Sequence, residues 1–131
     1  MSEISYRKID KRWKYQLTES YGLIIGILPP DDIMTEFITL FTDGNIIIKR
    51  YYAWDGATFP AWDTANFMRA SLVHDALYQL MRERQLDIAW RNHADQILRA
   101  ICLEEGMNRF RANYVYWAVK HFAKNCAEPK K

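Results

Sequence analysis

A chain of 131 residues with half its residues apolar is long enough to bury a core without staples, which excludes wholesale disorder. The net charge of +2 argues neither for nor against an anionic partner, and basic residues gather at the ends as Lys8, Lys11, Arg12 and Lys14, then Lys120, Lys124, Lys130 and Lys131. Two cysteines, Cys102 and Cys126, are too few for a disulfide framework and suit a reducing compartment.

The first half reads as β. Trp13 to Leu28 mixes aromatic, β-branched and polar residues and stops at Pro29-Pro30-Asp31-Asp32. Glu36 to Phe41 and Asn45 to Tyr52 then flank Thr42-Asp43-Gly44, the composition of a β-hairpin. The stretch from Tyr52 to Pro60 follows, with Asp55-Gly56 as a tight turn feeding the next element.

The second half reads as three helices. Thr64 precedes the first, whose apolar positions 67, 70, 74, 77, 78 and 81 recur at helical spacing before Arg82-Glu83-Arg84. Asp87 caps the second, which carries Ala94, Ile97, Leu98 and Ile101 and stops at Gly106. Asn108 caps the third, with Phe110, Tyr114, Val115, Ala118 and Phe122 as its inward stripe. The fold class is α+β, an N-terminal antiparallel sheet followed by three helices. Residues 1–126 are expected to form a single domain and 127–131 a flexible basic tail.

The first two helices are joined by a short link centred between Arg84 and Gln85, so they should pack antiparallel. His74 stands about ten residues before that centre and Asp95 about ten after it, roughly 15 Å of helix each way. The two side chains should be level. His74 lies within an apolar stripe, and a carboxylate at the edge of the opposing face needs partners, which His74 and the Tyr78 hydroxyl would supply. A histidine held by a carboxylate has a fixed tautomer and can serve as a general base. Asp75 points elsewhere, free for a hard cation such as calcium, and Asp55-Gly56 either completes the shell of such an ion with it or is simply a turn that feeds the helix. The competing reading is that His74 and Asp95 are a structural pair that sets helix register.

Asp55-Gly56-Ala57-Thr58-Phe59-Pro60, His74-Asp75-Ala76-Leu77-Tyr78 and Ala94-Asp95 resemble the pattern of an uncharacterised family of small phage and prophage proteins over roughly residues 36–122. Over about residues 54–98 the chain also resembles the active-site core of phospholipase A2. That resemblance implies that His74 activates water, Asp95 orients His74, Tyr78 bonds Asp95, and Asp75 with the 55–58 loop holds the calcium that stabilises an oxyanion. The loop departs from the phospholipase pattern in having only Gly56, and the bracing disulfides are missing.

Trp54, Phe59, Trp62 and Phe67 are expected to form an apolar rim for a lipid surface or a protein. The expected function is a calcium-dependent phospholipid or ester hydrolase of a phage or prophage. The alternative is a non-catalytic virion accessory or host-factor-binding protein. The expected location is the host cytoplasm or the virion, with no secretory signal peptide and no membrane-spanning segment; nucleic acid is not an expected partner.

Overall fold

The computed structural model describes residues 3–9, 15–55 and 64–129. The chain divides into two compact units, residues 1–55 and 56–131. The architecture is α+β as expected, with all described strands in the first unit and all described helices in the second.

The strands are β1 (Tyr6–Lys8), β2 (Tyr15–Leu17), β3 (Tyr21–Ile24), β4 (Ile33–Met34), β5 (Ile38–Leu40), β6 (Asn45–Ile48) and β7 (Ala53–Trp54). They form two antiparallel sheets, ordered β1-β2-β7 and β3-β6-β5-β4. The expected hairpin is β5–β6, with Leu40 opposite Ile46 and Ile38 opposite Ile48. Along β6 the period of two holds, since Ile46 and Ile48 are buried and Ile47 is exposed.

Gly44 makes that hairpin at φ 92°. A Cβ there would stand 2.3 Å from the Ile25 carbonyl oxygen, so glycine is required by both conformation and space. The segment from Tyr15 to Leu28 is not one strand. It bends at Thr18–Ser20, so that β2 pairs with β7 and β3 with β6. Leu17, Ile27, Ile38, Leu40, Ile46 and Ile48 form the core of this unit, all inaccessible to solvent.

The helices are α1 (Ala65–Arg82), α2 (Arg91–Glu104), α3 (Arg109–Phe122) and α4 (Lys124–Ala127). α2 packs against both α1 and α3. Arg84, at φ 62°, reverses the chain after α1, and the Gln85 amide closes the turn onto the Leu80 carbonyl. Glycine would serve more cheaply at such a position.

Asp87 does cap, but it caps a 3₁₀ turn (Ile88–Trp90) by accepting from the Ala89 amide, and α2 proper starts at Arg91. Gly106 at φ 90° ends α2, and the Met107 amide bonds the Cys102 carbonyl in the usual helix-terminating pattern. Asn108 caps α3 by accepting from the Arg111 amide at 2.8 Å.

Of the five residues expected on the α3 stripe, only Val115 and Ala118 are buried. Ala112, Val115, Ala118 and Val119 face the core, whereas Phe110, Tyr114 and Phe122 are exposed. The residues on the buried side are small, which lets α3 approach α2 closely. Among the described residues no helix is long and apolar enough to cross a membrane.

Candidate functional site

The site lies between α1 and α2 and follows from two pairs at helical i, i+4 spacing. His74 and Tyr78 share one face of α1, and Arg91 and Asp95 share one face of α2. Because the helices run antiparallel about the Arg84–Gln85 link, His74 meets Asp95 and Tyr78 meets Arg91. His74 Nε2 stands 2.7 Å from Asp95 Oδ1, the contact expected from the equal spacing. The Tyr78 hydroxyl donates to that same oxygen at 2.5 Å. The His74 and Tyr78 rings lie 4.0 Å apart, so the tyrosine supports the imidazole as well as the carboxylate.

Arg91 is the residue that sequence reasoning missed. Its Nε donates to the Tyr78 hydroxyl at 3.2 Å and its Nη2 to the Lys120 carbonyl at 2.5 Å, which ties the end of α3 to the site. The signal was present in the spacing. Arg91 lies as far after the link as Tyr78 lies before it.

The electrostatics are those of a nearly dry site. Asp95 is 1% exposed and His74 5%. Such burial of a carboxylate is tolerated because two donors converge on it. A carboxylate only accepts, so Nε2 carries the proton it donates and the imidazole lone pair resides on Nδ1. Every fully buried side-chain nitrogen and oxygen of the described residues has a hydrogen-bond partner. Nδ1 is the ring nitrogen left free of Asp95. Burial, followed by the hydrogen bond to Asp95, pushes the Tyr78 phenol well above its ordinary pKa, so it remains a donor throughout the physiological range.

The remaining predicted residues separate. Asp75 follows His74 on α1, is half-buried, and is already engaged in an interaction. Asp55 is exposed and ends the first unit, while Gly56 and Thr58 lie outside the described residues. Among the described residues no three His, Cys, Asp or Glu side chains cluster as a metal site.

The expected apolar rim needs correction. Trp54 is 3% exposed, packed against Tyr6 and Tyr15 at ring separations of 5.8 and 5.7 Å. Phe67 is 1% exposed in the first turn of α1. Both are core residues, since a strand paired on one side and a helix face each supply a dry environment for a large ring. Phe59 and Trp62 lie outside the described residues. His93 is exposed, its ring edge-on to Trp90, and takes no part in the site.

A family model described as a protein of unknown function (DUF1353) matches residues 33–119, a span that takes in the Asp55–Pro60 segment, His74–Tyr78 and Ala94–Asp95. No curated protein and no solved structure shows a significant match.

Proposed function

The chain belongs to the DUF1353 family, whose description assigns no activity, and from the geometry of its site we propose that it is a His–Asp hydrolase acting on phospholipid or a related ester. The observation that carries this reading is the shared Asp95 oxygen: it holds Nε2 of His74 and the Tyr78 hydroxyl, so that Nδ1 is the nitrogen that would serve as the base. The resemblance to the phospholipase A2 core points the same way, and the resemblance to small phage and prophage proteins suggests a phage or prophage origin.

In the reaction proposed, a water placed on Nδ1 gives up a proton as its oxygen attacks the ester carbonyl carbon. The tetrahedral intermediate collapses with loss of the alkoxide, which takes the proton back from Nδ1. Asp95 stabilises the transient imidazolium, and Tyr78 and Arg91 keep Asp95 and the ring in register.

Calcium belongs to this proposal as the ion that would polarise the carbonyl, with Asp75 as one ligand. The described donors alone do not make a calcium site, and the proton transfers above use only His74, Asp95 and Tyr78.

A phospholipid-vesicle assay with and without calcium, other esters serving as controls, tests the reading. Wild type should release fatty acid, and His74→Gln should lose about a hundredfold or more of that rate. Failure to cleave any ester would sink the proposal. Calcium should raise the melting temperature of wild type and not of Asp75→Asn; no shift at millimolar calcium would remove the metal from the reading.

One observation favours the non-catalytic alternative, in which the chain serves as a virion accessory or host-factor-binding protein. The network is buried and joins α1, α2 and the end of α3, as a purely structural tie would. That reading expects His74→Gln to lower stability and leave biological activity intact.

A further inference from the structure

The outer face of α3 takes no part in the hydrolase site, yet it carries the largest exposed rings among the described residues of the second unit. Phe110 is 88% exposed and Trp117 48%, with Tyr114 and Phe122 also open to solvent. Positions 110, 114, 117 and 121 fall on one line along the helix, opposite the buried Ala112, Val115 and Val119. Beyond Phe110, the rings from Tyr114 to Phe122 meet one another around Trp117. Trp117 stacks with Tyr114 at 6.3 Å, lies 4.9 Å from His121, and meets Phe122 edge-on at 5.6 Å.

The charge carried by the helix itself has one sign. Residues 109–127 contain Arg109, Arg111, Lys120 and Lys124 and no Asp or Glu, in a chain whose whole net charge is only +2. Arg109 and Lys120, both exposed, fall on one flank of the ridge roughly a quarter turn away, whereas Arg111 on the other flank is half-buried beside Glu105.

We infer that the outer face of α3 docks on an anionic lipid surface, with the aromatic ridge at the acyl boundary and the flanking cations among the head groups. Exposed Trp and Tyr are suited to that boundary because one end of the ring is apolar and the other polar. An in-plane helix with an apolar ridge beside a basic flank binds through buried apolar area and attraction to anionic lipid together. A protein groove is ordinarily mixed in charge, and a nucleic-acid backbone offers no apolar layer for Phe110 and Phe122. The uniform sign together with the ridge therefore favours lipid. This inference stands apart from the hydrolase reading, since binding requires neither His74 nor calcium.

The test is co-sedimentation of the full chain with phosphatidylglycerol vesicles and with phosphatidylcholine vesicles, in EDTA at physiological salt. The expected result is binding to the anionic vesicles only. Trp117→Ala and Phe110→Ser should each weaken it about tenfold, with helical circular dichroism and melting temperature unchanged. Lys120→Gln should weaken it about fivefold, and 1 M salt should weaken it further. His74→Gln should bind as wild type does, which separates this surface from the catalytic proposal. Absence of binding, equal binding to both vesicles, or binding untouched by Trp117→Ala would overturn the inference. So would equal affinity for a DNA duplex. A concentration-dependent dimer abolished by Phe110→Glu would assign the face to a second copy and overturn it as well.

Discussion

Helices α1 and α3 both pack against α2, and they bury opposite kinds of side chain. α1 turns its large residues inward: Phe67, Leu72, Leu77, Leu80 and Met81 are all 1% exposed or less, and His74 and Tyr78 are buried among them. α3 turns alanine and valine inward and leaves its aromatic rings outside. The difference sorts the two helices by task. A helix that must hold a polar network needs bulk around it to exclude water, whereas one that contributes only a close-fitting face can spend its large rings elsewhere.

If that contrast is right, the costliest change in α1–α2 is the loss of the carboxylate. Asp95→Ala leaves the His74 Nε2–H and the Tyr78 hydroxyl buried without an acceptor and should lower stability by about 3 kcal/mol in urea titration. Asp95→Asn retains an acceptor oxygen and should cost about 1 kcal/mol. Equal losses in the two variants would show that packing, not the hydrogen bonds, matters at this position. On α3 the vulnerable side is the small one. Ala118→Leu should overpack the contact with α2 and cost about 2 kcal/mol. Trp117→Ala on the outer side should change stability by no more than about 0.5 kcal/mol, and a larger loss would mean that the ridge is part of the fold.

The contrast also marks how far residue patterns could be read. Equal spacing about the Arg84–Gln85 link placed His74 against Asp95, because two antiparallel helices of fixed rise leave no freedom in which residues are level. Asn108 and Gly106 were readable as caps, since their chemistry acts within one turn. The hairpin at Gly44 was readable for the same local reason. The orientation of α3 was not. Its periodicity supports two stripes, one of alanine and valine and one of aromatic residues, and hydrophobicity alone favours burying the larger rings. The choice rests on the distance to α2, which no local pattern contains. Trp54 and Phe67 were misread in the opposite direction: nearness to a turn-rich loop suggested a rim, whereas each is enclosed by its own strand or helix packing.

The smallest expected effect vanishes at neutral pH and separates the buried hairpin from the exposed end of the chain. Cys102 is fully buried on α2, where its thiol is pushed up to about 12 by burial, whereas Cys126 in α4 is exposed. A thiol reagent at pH 8 should therefore modify one cysteine quickly in the native protein and the second only on unfolding. The Tyr78 phenol is raised as well, by burial first and then by its bond to Asp95. Both groups hold their protons more tightly when folded than when unfolded. The unfolded chain thus releases protons first, so stability is unaffected below about pH 9 and falls as pH rises through the window from about 9 to 12. Melting temperature followed from pH 7 to 11 should stay level and then drop, and Cys102→Ala and Tyr78→Phe should each make the drop shallower. A drop equally steep in both variants would assign the alkaline transition to charges outside the hairpin.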